Sequence, residues 1–222
     1  MMAQRFAKLG ALIAAAMLGG ALPAAAHPHI WVTMNADVVF NDGGEVDGIN
    51  LSWTFDDAYA QMALDGLDAN GDGVYSQDEL APLTRDNLDA LRDYDFFTVV
   101  RFNGEKQKIG EATDYGQIYS NDKLELHFHV PLEKPVDPRK GEFALKVYDP
   151  DFFVDLEYAK DDPVTVIGTM PSSCKLEMKP VPTDAELDQT RLMLSTKGKD
   201  WKPENNEDFG AMFAQPVVVA CM

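Results

Sequence analysis

"KLELHFHVPL" (residues 123–132) alternates without a break: Leu124, Leu126, Phe128 and Val130 fall on one side, and His127 and His129 on the other. Successive side chains of an extended strand point to opposite faces. The stretch therefore predicts a half-buried strand that carries both histidines away from the core.

Working outward, "HIWVTMNADVVF" (29–40) repeats the pattern, with Ile30, Val32, Met34, Val38 and Phe40 opposite His29, Trp31, Thr33 and Asn35. "NDGGE" turns the chain into a second strand, "GINLSWTF" (48–55). Further strands are expected at 96–102, 142–150, 152–158 and 215–221, and in "PVTVIG" and "CKLEMKP". Asn103-Gly104 is a hairpin turn signal. Short connections between many short strands fit an antiparallel β-sandwich-like domain, mainly β.

The period changes in one place. "DDAYAQMALDGL" (56–67) and "ELAPLTRDNLDALRDY" (79–94) repeat their apolar residues at helical spacing, so a helix–loop–helix insertion is expected at about 56–94. A further capped helix is expected at 183–195, followed by a polar loop. No internal repeat is present, and the whole reads as a single domain over 27–222.

Residues 1–26 stand apart. Arg5 and Lys8 precede the apolar "ALIAAAMLGGAL", and "PAAA" ends in a small-x-small pattern, as in a secretory signal. The apolar run is shorter than the roughly 20 residues a spanning helix needs. The expectation is export to the periplasm, a mature amino terminus at His27, and no direct membrane insertion of the mature chain. With 19 Lys and Arg against 37 Asp and Glu, the net charge is −18. Such a chain repels nucleic-acid phosphates and anionic membranes, which excludes nucleic acid as a partner. The only two cysteines, Cys174 and Cys221, predict one disulfide in an oxidising compartment; a pair of thiolate metal ligands is the alternative.

"DANGDGVYSQDE" (68–79) matches the EF-hand calcium pattern. Asp68, Asn70 and Asp72 take positions one, three and five, and Gly73 the sharp turn at six. Val74 offers a carbonyl, Ser76 acts through water, and Glu79 binds with both oxygens. A single loop with Tyr75 at position eight suits a structural calcium clip rather than a paired switch.

All four histidines of the chain occur as two i, i+2 pairs: His27 and His29, then His127 and His129. Imidazole is the commonest ligand for zinc, nickel and copper, and two or three with a carboxylate complete a site. If the two strands lie close, three or four imidazoles converge on one patch. "YDPDFFVD" adds Asp149, Asp151 and Asp155 as oxygen ligands or as partners of the histidines. Pro28 has no N–H, which rules out the square-planar amino-terminal copper–nickel geometry.

"HPHIWV", "WTFDDAY", "DANGDGVYSQDEL", "YDFFT", "LHFHVPL", "YDPDFFVD" and "FAQPVVVAC" together resemble domain of unknown function family 1007. Its members are exported bacterial proteins often labelled periplasmic components of an ABC-type transport system. The resemblance implies a metal-handling accessory that accompanies an inner-membrane transporter for nickel, cobalt or zinc. It carries His27, His29, His127 and His129 over as matching motif positions. Phe152 stands where the family often shows Tyr, so no ligand role passes to it. The expected function is transition-metal binding without catalysis, since no nucleophile motif, zinc-protease motif or phosphate loop is present. The alternatives are a copper-dependent oxidoreductase using an amino-terminal histidine, and a non-catalytic partner-binding β-domain.

Overall fold

The computed structural model describes residues 28–181, 185–197 and 208–222. The expected signal segment, His27 and most of the expected polar loop near 200 lie outside them. Two sheets enclose the core. The first contains β1 (Ile30–Phe40), β2 (Val46–Phe55), β5 (Thr113–Ser120), β6 (Lys123–Val136), β8 (Val154–Tyr158) and β9 (Val164–Gly168). Its order is β5-β6-β2-β1-β8, with β9 also on β1. The second contains β3 (Thr98–Phe102), β4 (Glu105–Lys106), β7 (Phe143–Val147), β10 (Cys174–Met178) and β11 (Val217–Cys221), in the order β10-β11-β7-β3-β4. The protein is mainly β and sandwich-like, as the alternating pattern predicts.

The alternation sets which side chains go inside. Val32, Met34, Ala36, Val38 and Phe40 of β1 are buried, as are Leu124, Leu126, Phe128 and Val130 of β6. They meet Val100, Phe143, Leu145, Val147, Val217 and Val219 of the second sheet in one core cluster. Trp53 lies edge-on to Phe128, with centroids 5.1 Å apart, and stacks on Phe97 at 6.0 Å. Each such large side chain contributes roughly 2–3 kcal/mol by leaving water.

The expectation of antiparallel sheets needs one correction. β1 pairs antiparallel with β2 but parallel with both β8 and β9. β8 follows Ile30–Met34, and β9 follows Ala36–Phe40. Between them the chain bulges outward, returning through Ala159 N–H to the Met34 carbonyl and Ala36 N–H to the Pro163 carbonyl. Alternation reveals which face a residue takes, but not strand direction, so the pattern could not supply this.

The helical insertion forms as α1 (Asp57–Leu64) and α2 (Gln77–Arg92). The Asp56 carboxylate caps α1 by accepting from Ala58 N–H and Tyr59 N–H, and it also accepts from Trp31 N–H of β1. Ser76 and Glu79 form a reciprocal capping box at the start of α2, which satisfies donors the helix leaves open. α2 buries Leu80, Thr84 and Leu88 and packs along β5. Two short helices, α3 (Ala185–Leu194) and α4 (Gly210–Phe213), come late in the chain. Among the described residues no helix is long and apolar enough to cross a membrane.

The expected strand at 96–102 begins later, because Asp95, Phe96 and Phe97 form a left-handed turn with φ of 51°, 50° and 55°. Such a conformation costs about 1–3 kcal/mol per residue. Burial of both phenylalanine rings offsets it, with the Thr98 hydroxyl donating to the Phe96 carbonyl and Tyr148 N–H to the Phe97 carbonyl.

Candidate functional site

His127 and His129 are half-buried on the outer face of β6, as the alternation predicts. Strand register gives each its neighbours. His127 faces Ser52 of β2, which faces Asn35 of β1. His129 faces Asn50, then Asp37, then Thr165 of β9. On the other side of β6, β5 places Thr113 beside His129 and Gly116 beside His127, with a bulge between them. Asp114 sits in that bulge at φ 47°, an arrangement that re-aims side chains out of a regular ladder. Asn35, Asp37, Asn50, Ser52, Asp114, His127 and His129 line one open cavity of about 370 Å³.

The polar groups here are ordered. The Asn50 amide oxygen accepts from His129 Nδ1 at 2.7 Å. An amide oxygen can only accept, so Nδ1 is the donor of this pair and Nε2 is the ring nitrogen left for another contact. The Thr165 hydroxyl donates to the Asp37 carboxylate at 2.6 Å. The Ser52 hydroxyl donates to Glu125 at 2.7 Å.

Both rings lie over glycines. A Cβ at position 48 would stand 2.3 Å from Cε1 and 2.5 Å from Nε2 of His129. A Cβ at position 116 would stand 3.0 Å from the same two atoms of His127. Neither glycine has a positive φ, so the missing side chain serves space rather than backbone conformation. Gly48 belongs to β2 and Gly116 to β5, on opposite sides of β6. The two imidazoles thus lean apart. Among the described residues, no three His, Cys, Asp or Glu side chains gather closely enough to hold a metal ion.

Of the first pair, His27 lies outside the described residues, and His29 does not join His127 and His129. His29 stands six residues before Asn35, the β1 residue in line with His127, so about 20 Å of strand separates them. It lies instead beside the Asp-rich turn, donating N–H to the Phe153 carbonyl and placing its ring 4.8 Å from that of Phe153. Asp149, Asp151 and Asp155 do not line the cavity of His127 and His129 either. Asp149 is 4% exposed, and its carboxylate accepts from the N–H groups of Asp151, Phe153 and Val154. Burial raises its pKa against those hydrogen bonds. Asp155 faces Trp31 across the β8–β1 pair, with its pKa raised by burial and then by Glu157. The turn organises its own backbone, as Asx turns do.

In the loop between α1 and α2, the Asp68 carboxylate accepts from Gly71, Asp72 and Gly73 N–H, and the Asn70 oxygen accepts from Asp72 N–H. Asp72 accepts from Val74 N–H. Glu79 accepts from Ser76 and from Ala69 N–H, and the Ser76 N–H is the main cause of its lowered pKa. Gly71 and Gly73 take φ of 72° and 77°, the left-handed turns that glycine allows. Tyr75 packs edge-on against Tyr119 of β5 at 5.2 Å. Cys174 and Cys221 are bonded to each other, which removes the thiolate-ligand alternative.

Sequence reasoning missed Gly48, Gly116, Asn50, Asp37 and Asp114. An isolated glycine inside a strand pattern signals a close approach, and Gly48 at the head of "GINLSW" carried that signal.

Comparison with known proteins agrees with the resemblance drawn from the motifs. The family described as "Protein of unknown function (DUF1007)" matches residues 12–221, and the chain belongs to it. An "Uncharacterized 15.5 kDa protein in trpE 3'region" of Spirochaeta aurantia is 30% identical over 99 residues, which is 45% of this chain and 70% of that protein.

Proposed function

We propose that this DUF1007 protein is an exported, non-enzymatic carrier of a divalent transition-metal ion, zinc, nickel or cobalt, serving an inner-membrane metal transporter. The ion is its cargo, taken up in the cavity on the outer face of the first sheet. One observation carries the reading. Two imidazoles share that cavity, each seated over a glycine, and Asn50 holds His129 through Nδ1, which leaves Nε2 as its ligating nitrogen. A hydrogen bond to the remote ring nitrogen is the usual way a ligating histidine is oriented. His127 and His129 supply the nitrogens, and Asp114 and Asp37 are the carboxylates of the same cavity. A donor set of two imidazole nitrogens with carboxylate oxygens suits borderline divalent ions better than magnesium or copper(I).

The loop at 68–79 fits a second, structural role as a calcium clip. Asp68, Asn70, Asp72, Ser76, Glu79 and the Val74 carbonyl would hold the ion. The inward fold of the three leading side chains onto the loop's own N–H groups supports this.

The carrier reading is tested on processed protein without an amino-terminal tag, by elemental analysis and zinc titration. The expected outcome is one transition-metal ion per chain, lost in a His127→Ala/His129→Ala variant that remains folded. Full retention of metal by that variant would show that the site is elsewhere.

A further inference from the structure

The site as it stands has a feature that a finished metal centre would not have: its two imidazoles lean away from each other. His129 reaches toward β2, held by Asn50 at 2.7 Å and lying over Gly48. His127 reaches the other way, toward β5, with its Cε1–Nε2 edge over Gly116. Resting on the carrier reading above, we propose that Gly116 is a parking place for His127, and that the ion binds only when this ring leaves it.

Side chains i and i+2 on one strand face leave that face in parallel, close enough for a metal to bridge their rings when both turn to the same side. His129 cannot be the moving partner without breaking its bond to Asn50. Among the described residues the His127 ring forms no hydrogen bond in this conformation, and a Cβ at position 116 would crowd its seat at 3.0 Å. Rotation about χ1 passes between staggered wells and moves the His127 ring off β5 toward Ser52 on the β2 side. The parked state competes with the ion. Observed affinity is then the intrinsic affinity reduced by the fraction of molecules with His127 released. Gly116 thereby sets how readily the cargo is given up, without touching it.

The consequence runs against ordinary expectation for a substitution beside a binding site. Gly116→Ala puts a methyl group 3.0 Å from the His127 ring, a contact the ring must relieve by a few tenths of an ångström. Crowding raises the cost of the parked conformer and should tighten zinc binding, by at most about fivefold if roughly one molecule in five is released at rest. His127→Ala in the same background should remove the gain. A second measurement does not depend on the variant folding. In wild-type protein the His127 Hε1 proton should show a nuclear Overhauser contact to the Gly116 α-protons without metal, and lose it on saturation with zinc. Three outcomes decide. Zinc binding by wild-type protein with unchanged or weaker binding in Gly116→Ala, or with the proton contact retained at saturation, overturns the parking role and leaves the carrier reading intact. No zinc binding by wild-type protein overturns both. Tighter binding and a lost contact establish it.

Discussion

Single residues in this chain declare their chemistry unevenly. Asp149 stands in an Asp-rich run of the sequence that offers oxygen ligands, yet its carboxylate is committed to three backbone N–H groups. Asp137 has no motif at all, but its carboxylate accepts from Arg139 Nε at 2.6 Å and lies 3.2 Å from Lys140 Nζ. Arg139 then donates to the Gly43 carbonyl, so this cluster ties the β6–β7 turn to the β1–β2 turn. The Arg139 hydrogen bond is the main reason the Asp137 pKa falls from 3.8 to about 2. A lowered folded-state pKa contributes stability that is present above the unfolded value and is lost as pH falls through the folded one. Asp137→Asn should therefore lower the melting temperature at neutral pH, with the gap to wild type narrowing between about pH 4 and pH 2. A gap of constant size across that range would show that the ion pair contributes nothing. The two histidines were legible as outward-facing because alternation dictates side. Their partners were not, because Asn50, Asp37 and Asp114 are brought to them by register, which a local pattern does not contain.

Secondary-structure elements were the most legible scale. Period alone placed β1, β2, β6 and the two helices of the insertion, since each buries one face against a single core. Direction and neighbours were not legible, and the parallel pairing of β8 and β9 with β1 is the case in point. The insertion also yields a prediction. If its loop binds calcium, the folded state gains about 2.7 kcal/mol at a hundredfold excess over the dissociation constant. That corresponds to a melting-temperature rise of several degrees in a chain of this length. Asp68→Ala removes the acceptor for Gly71, Asp72 and Gly73 N–H together with the first ligand position. It should abolish the calcium-dependent rise and lower the melting temperature in chelator. A rise of equal size in wild type and variant would dismiss the clip.

The molecule as a whole is closed by its last strand. β11 lies between β7 and β10, and Cys221 is both the register partner of Cys174 and its disulfide partner. A cross-link spanning 47 residues restricts the unfolded chain by on the order of 4 kcal/mol in the loop-entropy account. Reduction, or a Cys174→Ser/Cys221→Ser pair, should lower the denaturant midpoint accordingly. An unchanged midpoint would mean that the β10–β11 pairing persists in the unfolded state. The disulfide was readable from cysteine count and an export-like leader, while its role as the clasp of the second sheet needed the strand order.

The double parallel pairing of β1 has a kinetic meaning. β1 emerges during synthesis well before the strands that cover its outer edge, which begin only at Val154. At typical elongation rates that edge waits on the order of ten seconds with its N–H and C=O groups open to another chain. Contacts this distant in sequence also make for slow folding. The chain therefore has a built-in delay before it can close, during which a holding chaperone has a defined target: an eleven-residue strand with one apolar face and an unpaired edge.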